Sequence, residues 1–147
     1  MDGYHCFGCA PNNDAGLKLE FEYEDNCVKA LWKPDMKFSG YSNVLHGGVL
    51  AALADETAAW LIMVDLNTAG MTQSMNIRYL KPAYATSEFL YIYASLVESN
   101  ERSALVSVSI SGPDKNICCL AKLEFFIFPK KIAQARMKIP DRAAFFS

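Results

Sequence analysis

Hydrophobic and polar residues alternate strictly along residues 17–24, in the stretch LKLEFEYE. Alternation with a period of two is typical of a β-strand that buries one face and exposes the other. After the turn EDN, the stretch CVKALWK alternates again, with Val28, Ala30 and Trp32 on its apolar side. Two such runs joined by a short polar turn predict a β-hairpin.

The pattern changes at residue 47, where GGVLAALADETAAWLIMV carries apolar residues on every side. This predicts a helix over residues 47–64, which the turn residues Asn67 and Gly70 bring to an end. A helix that is apolar all round must be covered on all sides. One sheet covers only one side, so we expect the sheet to curl about the helix and a second subunit to cover the remainder.

Four extended runs follow the helix, at residues 72–82, 88–98, 103–111 and 117–128. The resulting order, β-β-α-β-β-β-β, predicts an α+β fold with about six antiparallel strands around one long helix. We expect a single domain over residues 1–147, with flanking segments 1–16 and 130–147. The second of these could add a short helix, with Phe145 and Phe146 as exposed ends or dimer contacts.

Composition narrows the class of protein. The formal charge is −2, from 14 basic and 16 acidic residues, and no basic stripe is available to neutralise nucleic-acid phosphates. Residues 1–14 lack the apolar core of a signal peptide, and the apolar run 49–64 contains two acids and falls short of the about 20 residues of a membrane span. We therefore expect a cytoplasmic protein without a nucleic-acid or membrane partner. The one basic cluster is a solvated segment or a grip for an anionic ligand: Lys130, Lys131, Arg136 and Lys138.

The five cysteines include a pair with metal-ligand spacing, Cys6 and Cys9, in the stretch HCFGCAPNND beside His5. A closed zinc site needs four ligands. The remaining thiols that could complete it lie in predicted strands, two of them adjacent and therefore on opposite faces: Cys27, Cys118 and Cys119. We expect reduced structural thiols, no metal and no cofactor, and keep a zinc site as the alternative.

The predicted helix carries two adjacent acids, Asp55 and Glu56, in its apolar middle. The positions three and four residues from Asp55 share its face and are all alanine: Ala51, Ala52, Ala58 and Ala59. Small neighbours leave room for a substrate, so we interpret Asp55 as facing a wet or substrate-filled cleft. The alternative is a structural carboxylate bonded to backbone N–H groups. Glu56 points about 100° away, and we expect it to have a supporting role, with Arg78 as a candidate partner.

Two glycines, Gly47 and Gly48, open the helix. The first N–H groups of a helix lack intrahelical partners and lie at the positive end of the macrodipole, which suits a developing negative charge. The alternative is that the glycines serve only a sharp turn. His46 precedes them, but the chain has no nucleophile elbow of the form G-x-S-x-G. We therefore expect His46 to orient the loop by hydrogen bonds rather than to transfer a proton.

Three segments, in order, resemble the hotdog-fold acyl-CoA thioesterases, specifically the phenylacetyl-CoA thioesterase-like branch of the 4-hydroxybenzoyl-CoA thioesterase superfamily. They are CFGCAPNNDAGLKLEF, GYSNVLHGGVLAALADE and MNIRYLKPA, and the resemblance spans residues 6–128. It implies a hotdog fold, an acyl-CoA substrate, no cofactor, and a homodimer that could pair into a tetramer.

The resemblance also implies roles for single residues. The backbone N–H of Gly47 would polarise the thioester carbonyl, Asp55 would be the catalytic carboxylate, and Thr72 would supply a hydroxyl on the following strand. Many relatives have asparagine where this chain has Gly40, and Asn43 is the nearest candidate amide. We assign His46 to the catalytic group as well, and place substrate binding at Gly48, Asn43 and Glu56.

Helix geometry adds a constraint on this assignment. Asp55 lies eight residues beyond Gly47, which is about 12 Å along a helix and about 80° around it. One thioester carbon cannot touch both groups in a single chain, so we expect two antiparallel helices at a twofold interface, with Gly47 of one subunit facing Asp55 of its partner. Whether Asp55 acts as a base or a nucleophile stays open. Two other functions remain as alternatives, a non-catalytic acyl-CoA sensor and an acyl-thioester dehydratase or hydratase.

Overall fold

The fold combines six strands with one long and one short helix. The protein is described by a computed structural model, which covers residues 4–145. The strands are β1 (Phe21–Glu24), β2 (Cys27–Trp32), β3 (Gly70–Tyr79), β4 (Leu90–Ser99), β5 (Ser103–Ser111) and β6 (Ile117–Ile127), and the helices are α1 (Gly47–Asp65) and α2 (Lys130–Arg136). Single 3-10 turns lie at Met36–Phe38 and Arg142–Phe145. The predicted α+β element order is therefore confirmed.

All six strands belong to one antiparallel sheet in the order β1-β2-β4-β5-β6-β3. Strand β3 follows α1 in the chain but lies at the far edge, beside β6. The sheet curls about α1, so the helix contacts strands from both halves of the sheet. This placement brings the start of β3 against the middle of the helix.

One side of α1 forms the centre of the hydrophobic core. Its fully buried residues are mostly aliphatic: Leu50, Leu53, Ala54, Thr57, Ala58, Leu61, Ile62 and Val64. Each large aliphatic side chain buried in this way contributes about 1.5 to 3 kcal/mol to folding. From the sheet, Val28, Ala30 and Trp32 join the core, which confirms the predicted inner face of β2. The opposite side of α1 stays partly exposed.

Strand β1 is shorter than predicted. The alternation predicts a strand over residues 17–24, but β1 begins at Phe21. Lys18 adopts a left-handed backbone conformation with φ 54°, which no regular strand contains. Leu17 and Leu19 are still buried, and their N–H groups donate to the carbonyls of Phe7 and Gly8 instead of to a sheet neighbour. The alternation correctly predicted that Leu17 and Leu19 are buried. It predicted the strand wrongly, because these residues pair with the N-terminal segment and not with a strand of the sheet.

The segment after β6 forms the predicted short helix, α2, followed by a 3-10 turn. Phe145 is not an exposed end, because its ring is partly buried and packs edge-on against Trp60 at 5.3 Å between centroids, while the dimer contact stays a prediction. The backbone N–H of Arg142 donates to Asn67 at the end of α1, at 2.8 Å. Phe146 lies outside the described residues. The tail is thus attached to the far end of the central helix.

By length and composition alone, α1 passes as a helix that could span a membrane. The core helix of a globular domain passes the same test. In this fold the sheet surrounds one side of α1, and eight of its residues are buried.

Candidate active site

Asp55 and Thr72 meet on the open side of the central helix. The Thr72 hydroxyl donates a hydrogen bond of 2.6 Å to Oδ1 of Asp55. Thr72 is exposed and Asp55 is half-buried, so solvent reaches the pair. The register of β3 on β6 shifts between Thr72 and Ser74. A bulge re-aims the side chains beside it, and this one lies next to the threonine that meets Asp55.

The neighbourhood of Asp55 is small and partly open, as its alanine spacing predicts. Ala51, Ala52 and Ala59 are partly exposed, whereas Ala58 is fully buried against the sheet. In residues 4–145 the hydrogen bond to Asp55 comes from a hydroxyl, and no backbone N–H donates to its carboxylate. This argues against the alternative that Asp55 only satisfies backbone groups.

His46 caps the N-terminus of α1. Its Nδ1 accepts a hydrogen bond of 2.8 Å from the backbone N–H of Gly48. A side chain that accepts from this position satisfies one of the unpaired N–H groups of the first helical turn. His46 is exposed and caps the helix that carries Asp55 in its middle, and its role in the reaction stays a prediction.

The cap leaves the neighbouring amide free. Within the described residues, the backbone N–H of Gly47 donates to no acceptor. Neither Gly47 nor Gly48 has a positive φ, so a sharp turn does not explain the two glycines. The N–H of Gly47 therefore lies without an acceptor at the positive end of the helix.

Tyr79, which lies in the segment MNIRYLKPA, contacts Gly47 in a way that the sequence motifs do not predict. Its hydroxyl donates a hydrogen bond of 2.7 Å to the carbonyl of Gly47. A Cβ on Gly47 would lie 3.3 Å from the Tyr79 ring, so glycine allows the ring to approach. Partial burial raises the pKa of the Tyr79 hydroxyl, which keeps it protonated as a donor. No local pattern pairs residues 47 and 79, so the sequence offered no signal for this contact.

Gly47 and Asp55 do not come together within one chain. Both lie on the single helix α1, so they are separated by about 12 Å along its axis. One chain therefore carries the Gly47 amide, beside Tyr79, at the start of α1. It carries the Asp55 carboxylate, bonded to Thr72, in the middle of the same helix.

Glu56 and Asn43 lie apart from Asp55. The Glu56 carboxylate accepts from the Cys6 thiol at 3.3 Å, on the side of α1 that meets the N-terminal segment. Within residues 4–145 it forms no ion pair with Arg78, so that expected pairing is wrong. Asn43 donates from Nδ2 to the Thr86 hydroxyl at 2.8 Å, and its buried Oδ1 has no partner among the described residues. The substrate-binding roles of Gly48, Asn43 and Glu56 stay predictions.

The thiols fall into two pairs and a single buried residue, Cys27, whose sulfur lies 2.8 Å from the Tyr93 hydroxyl. All five cysteines are free. Cys118 and Cys119 are buried in β6, and burial raises the pKa of both, that of Cys119 to about 11. They are inert core residues. Cys6 and Cys9 lie instead with Glu56, their ligand atoms all within 4.8 Å of one another. This is the group in the described residues that could hold a metal, and it is separate from the Asp55–Thr72 pair.

A cavity of about 870 Å³ lies beside the end of β6 and α2. Three cations, Arg102, Lys130 and Arg136, line it together with one acid, Glu101. Neither Asp55 nor Gly47 belongs to it. With its excess of positive charge, the cavity suits an anionic group.

The curled antiparallel sheet around one helix, with an accessible acid at mid-helix and a free amide at the helix start, defines a protein of the hotdog class. Residues 42–119 match the thioesterase superfamily, and the chain belongs to this family. The hotdog fold implied by the sequence resemblance is confirmed, while the phenylacetyl-CoA thioesterase-like branch stays a prediction.

Solved structures share this fold. A hypothetical thioesterase from Streptococcus pneumoniae, solved with coenzyme A, is 25% identical, with 75% of this chain and 85% of that chain covered and a TM-score of 0.69. A thioesterase from Haemophilus influenzae is 20% identical, covering 78% and 80% of the two chains, with a TM-score of 0.71. A Streptococcus mutans protein bound to acetyl-CoA is 19% identical, covering 88% and 97%, with a TM-score of 0.73.

One curated relative is an uncharacterized protein of Schizosaccharomyces pombe. It is 24% identical over 103 residues, which are 67% of this chain and 58% of the relative. The chain thus spans little more than half the length of that relative.

Proposed function

We propose that this protein hydrolyses an acyl-CoA thioester to the free acid and coenzyme A. The observation that carries the proposal is the hydrogen bond of 2.6 Å between Thr72 and Asp55 on an accessible face of α1. Membership of the thioesterase superfamily supports the reaction class. The coenzyme A and acetyl-CoA bound in two structures of similar fold support the substrate class.

The free N–H of Gly47 is suited to the oxyanion that forms on the thioester carbonyl. A preorganised donor aimed at the developing charge is usually the largest single contribution to catalysis of this kind. The helix macrodipole adds to it, since Gly47 is the first residue of α1. His46 contributes by holding the Gly48 amide, and Tyr79 by holding the Gly47 carbonyl. Together these contacts hold the Gly47–Gly48 peptide, which adjoins the His46–Gly47 peptide that carries the free N–H.

Asp55 supplies the base or the nucleophile for attack on the thioester carbon. As a general base it takes a proton from water while the water oxygen bonds to the thioester carbon. The C–S bond then breaks, and the proton passes to the coenzyme A sulfur. As a nucleophile it would instead bond to the thioester carbon and expel the coenzyme A thiolate, and water would then cleave the resulting mixed anhydride. In both cases the Thr72 hydroxyl holds one carboxylate oxygen, Oδ1, and leaves the other free to act.

A homodimer would bring the two halves of the site together. Two α1 helices packed antiparallel would place Gly47 of one subunit opposite Asp55 of the other, with two equal sites about a twofold axis. The partly exposed face of α1 fits this arrangement. So does β3, a ten-residue edge strand with no sheet partner on its outer side in the described residues and with Met71 57% and Tyr79 51% exposed. Long unprotected edges of this kind favour pairing with another chain. Pairing of two dimers into a tetramer is part of the same proposal.

The test is a panel of acyl-CoAs, with released coenzyme A detected by a thiol reagent. Asp55→Asn removes the charge and keeps the shape of the side chain, so we expect kcat to fall by about 100-fold to 10,000-fold, the usual contribution of a positioned base. Asp25→Asn is the matched control, because Asp25 is exposed in the β1–β2 turn with φ 53°, a conformation that asparagine tolerates.

Two results would overturn the proposal. One is an absence of released coenzyme A above background with every acyl-CoA of the panel. The other is an Asp55→Asn variant that hydrolyses as fast as the parent. Tight acyl-CoA binding without turnover would move the assignment to a sensor, and interconversion of enoyl- and hydroxyacyl-CoA without thioester loss would move it to a hydratase.

A further inference from the structure

Two thiols and a carboxylate converge on the side of α1 that Asp55 does not occupy. The Cys6 sulfur lies 3.3 Å from Oε1 of Glu56. The ligand atoms of Cys6, Cys9 and Glu56 all lie within 4.8 Å of one another. All three residues are half-buried. Nothing in the proposed hydrolysis uses this cluster.

The separations match those of ligands around one zinc ion. Zinc binds thiolates at about 2.3 Å and carboxylate oxygens at about 2.0 to 2.2 Å, so two ligands at a tetrahedral angle lie about 3.5 to 3.8 Å apart. The Cys6–Glu56 distance of 3.3 Å is close to this value. Small side-chain rotations would bring all three atoms onto one ion. Two thiolates with one carboxylate favour zinc over hard cations such as magnesium.

The backbone holds the thiols in place. The turn from Cys6 to Cys9 is closed by the N–H of Ala10, which donates to the Cys6 carbonyl at 3.1 Å. The residues between the thiols are anchored by two further bonds, from Leu17 to Phe7 at 2.7 Å and from Leu19 to Gly8 at 2.9 Å. The cysteines therefore lie in an ordered segment, residues 6–19, whose two arms are joined by backbone hydrogen bonds and which we call the N-terminal hairpin.

Gly8 allows the backbone of this hairpin to pack directly against the side chain of Glu56 on the helix. A Cβ at Gly8 would overlap the side chain of Glu56. Glycine permits such close approach where any other residue would push the segments apart. The approach places Glu56 directly against the turn that carries the two thiols.

Donors for ionised sulfur already surround the cluster. The Tyr4 hydroxyl lies 2.7 Å from the Cys9 sulfur. The buried indole N–H of Trp60 lies near the same sulfur, and within residues 4–145 it forms no regular hydrogen bond. A metal-bound thiolate is a better acceptor than a neutral thiol, and hydrogen bonds of this kind commonly surround metal ligands. The indole is thus a further donor available to a thiolate at this place.

We propose that Cys6, Cys9 and Glu56 bind a zinc ion, which joins the N-terminal hairpin to the central helix. Three protein ligands leave the fourth position of a tetrahedral site for water or a small ligand. The third ligand is not a cysteine, so the spacing of the cysteines along the chain does not reveal it. Glu56 is 50 residues away from Cys6 and reaches the thiols only through the fold.

The experiment measures metal content directly and does not depend on activity. The full chain is produced with added zinc, kept reduced and desalted, and zinc per chain is determined by plasma mass spectrometry. The apo protein is then titrated with Co²⁺, whose thiolate complexes absorb in the near ultraviolet. We expect one zinc per chain, and a charge-transfer band that saturates at one cobalt per chain.

Variants separate this site from adventitious binding. Cys6→Ser, Cys9→Ser and Glu56→Gln should each weaken zinc binding by about 100-fold or more, since loss of even a supporting partner costs about 10- to 100-fold. Cys27→Ser and Glu22→Gln are matched controls outside the cluster and should bind zinc like the parent. Glu56→Gln preserves the size of the side chain, and thermal melting of each apo variant verifies that the fold is retained.

Three results would overturn the proposal. The first is a reduced parent that carries no zinc and gives no cobalt–thiolate band. The second is equal zinc binding by the parent and by Glu56→Gln, which would remove the helix from the site. The third is a Cys6–Cys9 disulfide in the isolated protein together with failure to load zinc after reduction. Because none of these readings uses hydrolysis, the zinc site and the proposed function can fail separately.

Discussion

The hydroxyl of Thr72 lies 2.6 Å from a carboxylate oxygen of Asp55. The contact joins the middle of the central helix to an edge strand, next to a bulge in that strand. A carboxylate in an apolar helix is costly unless its oxygens have partners. Thr72 satisfies one oxygen, and the second accepts no hydrogen bond within residues 4–145. This division of the two oxygens is what an acid needs in order to be both held and reactive.

Thr72→Val tests whether the hydroxyl matters to the reaction. Valine keeps the shape of threonine but cannot donate, so Asp55 loses its orienting bond. Bonds to charged groups contribute about 1.5 to 3 kcal/mol, and we expect kcat to fall by about 10- to 100-fold, with KM for the acyl-CoA little changed. Steady-state kinetics measure both.

Thr72→Ser is the matched control for that variant. It restores the donor and should recover most of the parent's kcat. Equal rates for the valine and serine variants would mean that the hydroxyl only packs.

His46 can be tested for its role as a helix cap. Asparagine is among the best capping residues but cannot act as an acid or base near neutral pH. Alanine can neither cap the helix nor transfer a proton. We expect His46→Asn to keep most of the activity, and His46→Ala to lose about 0.5 to 2 kcal/mol of unfolding free energy. Urea denaturation and acyl-CoA hydrolysis, measured on both variants, give the answer. Loss of activity in a stable His46→Asn variant would instead assign proton transfer to the imidazole.

Tyr79→Phe removes the hydroxyl that donates to the Gly47 carbonyl and leaves the ring against that glycine. A neutral hydrogen bond contributes about 0.5 to 1.5 kcal/mol, so we expect a decrease in kcat of about 2- to 10-fold from a less firmly held amide. Tyr84→Phe is the control, since Tyr84 is similarly exposed at 46% but lies outside the site. Kinetics in which the two variants behave alike would show that Tyr79 does not position Gly47.

Phe125 and Phe126 are adjacent in β6 and point to opposite faces, so they form a matched pair for core packing. Phe125 is 0% exposed and Phe126 is 37% exposed. Replacing a buried phenylalanine with alanine costs about 3 to 5 kcal/mol, and we expect this loss for Phe125→Ala. Phe126→Ala should lose about 1 kcal/mol or less, through its edge-on contact with Phe128 at 5.1 Å. Chemical denaturation compares the two, and similar losses would contradict the packing of Phe125 on the inner face.

Local patterns predicted the elements well where the chain's neighbours along the sequence decide the structure. The helix begins at Gly47 as predicted and ends one residue past the predicted end. Strand β5 has the predicted bounds, Ser103–Ser111. Periodicity indicates which side of a segment is buried, and burial determines these elements. The pattern was misleading at Leu17 and Leu19, where burial is real but the partner is the N-terminal hairpin.

The candidate site also has one part that the sequence predicts and another that it does not. The free amide at Gly47, the acid at Asp55 and their spacing on one helix follow from the sequence alone, because a helix converts separation along the chain into distance and angle. The contacts of Tyr79 with Gly47 and of Cys6 with Glu56 join residues 32 and 50 positions apart. No local periodicity encodes such pairs, since they depend on how the sheet curls about the helix and on how closely the N-terminal hairpin approaches it. Tertiary packing alone therefore decided which side chains support the amide, and where the second acid of the helix finds its partners.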